Sequence, residues 1–302
     1  MSDARFINPI GMIGMVDTSL VDRLNDETKA KQSLQDDGDD SPKYTVAVET
    51  ELFMGEEKQT LEGRYKALTN KANDNQIFAI VGDGYLVIQH DDVVDTIDEA
   101  LDDLNMKPVS QINEMSEGGR IHGDMFFPDH YVDVTGRGDV INLRISFDNS
   151  YDTSTGVRMN FGAFHPTTQA LLYIGERYSN FYHKHTRGLN KDEMTTDIKK
   201  GAEIFQDKIS KMFQGMATTP VNFAQVKDFL DERADKKLKD DVPVKYLNFV
   251  NDSITSGTQT MWDLFITYSK VLGDKCDSID ARKKHSLTFL SMFVKASNEN
   301  RI

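Results

Sequence analysis

The chain has 302 residues, with 35 Lys and Arg against 49 Asp and Glu, a formal charge of −14, 38% hydrophobic residues and one cysteine. This composition excludes a membrane-spanning protein and a wholly disordered one, and it leaves ample apolar material for a core. The lone Cys276 excludes a disulfide framework and a Cys-rich zinc site and fits a reducing compartment; set among Asp274, Lys275 and Asp277, it reads as a surface thiol.

The acidic excess is local. Residues 1–106 carry 9 Lys and Arg and 23 Asp and Glu, whereas residues 107–302 carry 26 of each. The stretch SLQDDGDDSPK (33–43) has one apolar residue in eleven, too few to offset its ordering entropy, and reads as a flexible acidic linker. Ahead of it, RFINPIGMIGMVDTSLVDRL lacks the basic start and cleavage site of a signal peptide and is too short to span a bilayer. It reads as an arm that docks on a neighbouring subunit or folds back on its own domain.

From residue 44 the pattern turns β-rich. YTVAVETELF (44–53) alternates with period 2, and QIFAIVGDGYLVIQH (76–90) reads as two short strands about Gly82-Asp83-Gly84. In 91–106, Val93, Val94, Ile97, Leu101 and Leu104 recur at helical spacing behind Asp91 and Asp92, acids that suit a helix N-terminus. Segments 118–130, 131–135, 140–149 and 155–166 are strand-like, and the polar stretch Asn149 to Ser154 between the last two predicts an antiparallel hairpin.

The remainder is helical. Asn190 to Met216 carries Met194, Ile198, Phe205, Ile209, Met212 and Phe213 on one stripe, with Asn190 and Glu193 at capping-box spacing. A helix capped by Asn222 follows, with Phe223, Val226, Phe229 and Leu230 inward. Two more helices cover 258–272, which holds Trp262, and 284–296.

The hairpin bears the first functional signal. Ile141, Leu143, Ile145 and Phe147 share one face of the first strand, and Asn142, Arg144, Ser146 and Asp148 share the other. A turn centred near 151–152 sets Arg144 against Arg158, a like-charge pairing that an intervening anion such as phosphate would relieve. Arg120 and His122 alternate outward in the same way, so one face carries Arg120, Arg144 and Arg158. The competing reading pairs these arginines with Asp124, Asp139 or Asp148 on a solvated face.

The second signal is NFYHKHTRGLNK (180–191), which interleaves Tyr182, His183, Lys184, His185, Arg187 and Lys191, a pattern suited to base stacking and phosphate contact. His183 and His185 alone supply two metal ligands where a catalytic zinc takes three, and no spacing selects His122, His130 or His165 to join them. Gly82-Asp83-Gly84 lacks the strand–GxGxxG–helix order, and neither a P-loop nor GxSxG occurs. No catalytic residue, metal or cofactor is assigned.

The succession IFAIVGDGYLVIQHDDVVDTIDEAL (77–101), GGRIHGDMFFP (118–128), ISFDNSYDTSTGVRMNFGAFHP (145–166) and YHKHTRG (182–188) resembles a phage- and plasmid-borne family known only as a domain of unknown function and often named phage/plasmid-like protein. Its strand often ends in Cys-Asn; here Met159 precedes Asn160. The resemblance implies residence in mobile elements, an α+β core and kinship with the Redβ/RecT/Erf single-strand annealing proteins. Those proteins form rings or filaments and lay single strands in a basic groove between a sheet and helices.

The expectation is an α+β fold, an antiparallel sheet with a hairpin packed on helices and a helical C-terminal part. Its pieces are an arm and acidic linker (1–43), an α+β core (44–190) and a helical region (191–302). The leading function is a non-enzymatic, homo-oligomeric phage protein of the host cytoplasm that binds or anneals single-stranded DNA in recombination or replication. Arg120, Arg144, Arg158, Lys184 and Arg187 hold phosphates, Tyr182 stacks on a base, and His183, His185 and Lys191 complete the surface; no membrane is involved. One alternative is an accessory protein that binds a host or phage protein partner to counter defence, its acidic third mimicking nucleic acid. Another is a metal-dependent nuclease.

Overall fold

The computed structural model describes residues 41–298 except 52, 55–58, 61–64, 175–179, 236–242 and 255–258. The expected N-terminal arm and the acidic run 36–40 lie outside the described residues. What is described is α+β, with antiparallel sheets in the first part and helices in the last.

A small sheet of β1 (Ala47–Glu51), β4 (Tyr65–Asn70) and β5 (Asn73–Gly82) leads the chain, with the two-residue strands β2 (Phe53–Met54) and β3 (Gln59–Thr60) paired beside it in sequence. The expected strand after Gly82 does not form. Leu86 N–H instead donates to the His185 carbonyl (2.8 Å) and its own carbonyl accepts from His185 Nδ1 (3.2 Å). The Ile88 carbonyl accepts from Asn149 Nδ2 (3.0 Å). The segment is extended, but its backbone bonds are met by residues far along the chain rather than by a ladder.

The helix expected over 91–106 is α1 (His90–Asp103), with Val93, Val94, Ile97 and Leu101 buried as its period required. The main sheet has the order β10-β9-β8-β7-β6: β6 (Val109–Met115), β7 (Arg120–Asp133), β8 (Val140–Ser150), β9 (Val157–His165) and β10 (Ala170–Tyr173). A further strand, β11 (Asn180–His183), pairs with the first half of β9 while β10 pairs with its second half. β8 and β9 form the expected hairpin, but Arg144 lies opposite Gly162 and Arg158 opposite Asp148. The connection is centred at 153 because Ser150 Oγ accepts from Thr155 N (3.1 Å) and donates to the Thr155 carbonyl (2.8 Å), closing a longer loop. The two arginines therefore do not face each other.

One sheet face is the core. Ile121, Met125 and Phe127 of β7, Ile141, Leu143, Ile145 and Phe147 of β8, and Val157, Met159 and Ala163 of β9 are fully buried. They join an apolar cluster that runs from Ile88 to Ala296, so the sheet and the C-terminal helices share one core. The ring of Phe147 occupies the space beside Gly123, where a Cβ would stand 2.1 Å from it.

The long expected helix is α2 (Lys191–Ile204), a wide π-helical turn at Phe205–Ile209, and α3 (Ser210–Thr218). Asn190 caps it by accepting from Glu193 N (3.1 Å). Phe205, Ile209 and Phe213 recur every four residues; a regular α-helix would rotate such a row off one face, and the wider turn brings it back. Asn222 caps α4 (Phe223–Asp235), accepting from Ala224 N and Gln225 N. After the short pair β12 (Pro220–Val221) and β13 (Gln259–Thr260), and α5 (Val244–Ser253) between them, come α6 (Met261–Lys275) and α7 (Ile279–Asn298). α7 begins five residues before the expected Lys284. Cys276 is buried, not a surface thiol, because it sits where the chain turns inward between these two helices. Among the described residues no helix is long and apolar enough to cross a membrane.

Two outcomes follow. Gly123→Ala forces Phe147 off its site and lowers unfolding free energy by about 1–3 kcal/mol, read from urea denaturation. His90 is fully buried, donates from Nε2 to the Gly118 carbonyl (3.1 Å), accepts at Nδ1 from Asn149 (3.0 Å), and is pushed by burial from 6.5 down to about 4. Since the folded value is the lower one, this stability is fully present above pH 6.5 and is lost as pH falls toward 4, a change of about 3 kcal/mol. The slope of urea midpoint against pH in that window flattens in His90→Gln.

Candidate functional site

The second face of the main sheet follows the even positions of β7, β8 and β9: Arg120, His122 and Asp124; Arg144, Ser146 and Asp148; Arg158 and Asn160. Strand alternation places them together, as expected. The face is not open to solvent, however. His122, Arg144, Ser146 and Asp148 are all 2% exposed or less, because α7 crosses here and α6 packs along the edge strand β10.

Burial of charge on this scale needs partners. Arg144, 1% exposed, forms an ion pair with Asp124, lies 4.7 Å from the centre of the Tyr173 ring, and donates to the Tyr173 hydroxyl (3.4 Å). Gly162 lies opposite it, where a Cβ would stand 2.7 Å from the Leu172 carbonyl oxygen. Asp148 accepts from His122 Nδ1 and Arg120 Nη2, each at 2.9 Å, and from Lys283 Nζ at 3.0 Å. Arg120 also grips Asp280 on α7 with both ends of its fork, at 2.8 and 3.2 Å.

These contacts set the charge states. Burial works to raise the Asp148 carboxyl, but His122, Lys283 and Arg120 outweigh it and hold it well below the usual carboxylate range. Burial likewise opposes the His122 cation, and the two carboxylates beside it, Asp148 at 2.9 Å and Asp124 at 3.5 Å, prevail and raise its pKa. Arg144, with His122 beside it, keeps Asp124 low against its own desolvation.

Between this face and α7 lies a cleft of about 350 Å³. Arg120, Arg144, Arg158 and Lys283 line it against Asp148 and Asp280, four cations to two anions. Among the described residues, the buried Nε donors of Arg120 and Arg144 have no acceptor. The three arginines singled out from the sequence thus surround one cavity, with Arg144 as its floor.

The second sequence signal divides. Tyr182 is 49% exposed and lies under the Arg158 guanidinium, 5.3 Å from ring centre to carbon, next to that cleft. Lys184 is exposed. Arg187 pairs with Glu193 (2.9 Å) and Lys191 with Asp103 (3.1 Å) on α1. His183 and His185 are buried: His183 Nε2 bonds the Arg187 carbonyl (2.8 Å), and His185 stacks on Tyr85 at 4.9 Å while bonding Leu86. Both histidines hold the turn in shape and present little surface to a ligand. Among the described residues no group of three or more His, Cys, Asp or Glu is arranged to hold a metal.

Lys283 and Asp280 join the site from outside both sequence clusters, because α7 begins at Ile279 rather than at the expected Lys284. The basic run Arg282-Lys283-Lys284 behind Asp280 was the available signal.

Arg144→Met leaves Asp124 buried without its cation and is expected to cost about 3–5 kcal/mol by urea denaturation at neutral pH; adding Asp124→Asn recovers part of the loss.

No curated protein and no solved structure matches the chain. A family model described as a domain of unknown function, DUF932, matches residues 77–280, a span that begins in β5 and ends in the first turn of α7, so that it takes in every side chain of the cleft except Lys283 and Leu287. By that match the chain belongs to the DUF932 family.

Proposed function

We propose that the protein binds single-stranded nucleic acid by its phosphate backbone at the cleft between the main sheet and α7. The observation that carries this reading is a cavity with a cationic excess, lined by Arg120, Arg144, Arg158 and Lys283, in a chain of net charge −14. Charge of the opposite sign to the whole molecule, concentrated in one concave place, focuses attraction on an anion. Arginines present a planar fork that fits phosphate oxygens.

Tyr182, exposed beside Arg158, supplies an aromatic face on which a base can stack without regard to sequence. Exposed Lys184 continues the cationic surface past it. Arg187 and Lys191 do not line the cleft, and each is paired with an acid that competes with phosphate.

The wider setting, a phage or plasmid protein that acts as a ring or filament in recombination beside the Redβ/RecT/Erf annealing proteins, is supported by the sequence resemblance and by the sheet-and-helix cleft that such a groove requires. The expected activity is strand binding without a chemical step.

The test is fluorescence anisotropy with a labelled oligothymidylate at two salt concentrations. Arg158→Ala weakens binding about three- to tenfold and lowers the salt slope by about one. Tyr182→Ala weakens it by about 1–3 kcal/mol with little change in slope. Unchanged affinity and slope in both variants would remove the cleft from consideration.

A further inference from the structure

The cleft already holds an anion of the protein's own. Asp280, in the first turn of α7, reaches across to Arg120 with both carboxylate oxygens, Oδ2 to Nη1 at 2.8 Å and Oδ1 to Nη2 at 3.2 Å. This side-by-side contact is the one an arginine fork offers to two phosphate oxygens. The two carboxylates that Arg120 touches are not alike. The Asp148 side chain is 3% exposed and is fixed by His122 and Lys283 as well, whereas the Asp280 side chain is 64% exposed and sits on the solvent side of the pair.

We propose that Asp280 is an internal stand-in for phosphate: it occupies the Arg120 fork in the free protein, and an entering nucleic-acid strand displaces it, so that the start of α7 gates the cleft. The inference rests on the cleft being a nucleic-acid site and names how that site is regulated. An ion pair with so exposed a carboxylate is held weakly, so a phosphate that also meets Arg158 and Lys283 competes well for the same fork. Displacement leaves Asp148 as the single carboxylate in the lining. Asp148, by contrast, stays in place and keeps Arg120 aimed into the cavity.

The experiment compares Asp280→Asn with Asp277→Asn in the full chain, by anisotropy with a labelled oligothymidylate. Asp277 is exposed three residues earlier and does not line the cleft, so its variant removes the same charge without touching Arg120. Asp280→Asn is expected to bind about two- to fivefold more tightly than wild type, with Asp277→Asn unchanged. Equal tightening in both variants means a general charge effect and overturns the gate. Wild-type binding that Arg158→Ala weakens and Asp280→Asn leaves unchanged or weakens also overturns the gate, while the cleft stands as the binding site. No binding by wild type, Asp280→Asn or Asp277→Asn overturns the cleft reading and the gate with it.

Discussion

One buried carboxylate organises the polar half of the molecule. Asp148 sits in the middle of the main sheet, and its two oxygens are shared among His122 on the neighbouring strand, Arg120 on the same strand as His122, and Lys283 on the last helix. A lone carboxylate in such a place would take a proton rather than stay charged. Surrounded by three cations, it stays ionised and in turn fixes all three in position. Arg120, His122 and Lys283 thus take their directions from Asp148, while Arg144 takes its own from Asp124 and Tyr173.

The two faces of the sheet are both covered, but by different physics. On the core face, apolar side chains from β7, β8 and β9 interlock with helices, and the energy comes from removing surface from water. On the other, α7 is joined to the strands by ion pairs, and a cavity remains between them. Replacing a buried ion pair with well-packed hydrophobes is often neutral or stabilising, so stability alone is a weak reason for such a face. The cost of keeping charge there makes sense if the charges serve a ligand, and the cation excess says of which sign.

Much of this was legible from residue patterns. The alternation of Ile141, Leu143, Ile145 and Phe147 identified β8 and its inward face, and the spacing of Val93, Val94, Ile97 and Leu101 identified α1. The same alternation grouped Arg120, Arg144 and Arg158, and they do share a cavity. What escaped depended on partners distant in sequence. Alternation marks a polar face but carries no information about a helix 135 residues away that covers it, so Arg144 read as part of an open phosphate-binding face when it is buried against Asp124 at the floor of a cleft. The hairpin register was set by one serine hydroxyl closing the loop onto Thr155, which strand patterning does not register. YLVIQ at 85–89 has the composition of a strand, and its bonding partners are a histidine and an asparagine 61 to 99 residues on. The aromatic and basic turn was legible as a cluster; that its two histidines point inward was decided by Leu86 and Tyr85.

The contacts between α7 and the sheet have a consequence in time. Strands β6 to β9 pair each with the next, through short connections, and such local pairings form early. The bonds from Asp280 and Lys283 span 160 and 135 residues, and they close after the large entropy of the intervening loop has been given up. During synthesis α7 also emerges after every strand of the main sheet. Until it arrives, the charged face of the sheet stands open to water, with Asp148 still lacking its lysine. The cleft is thus assembled after the sheet, and a chain that stops short of α7 can build the sheet but has no enclosed site.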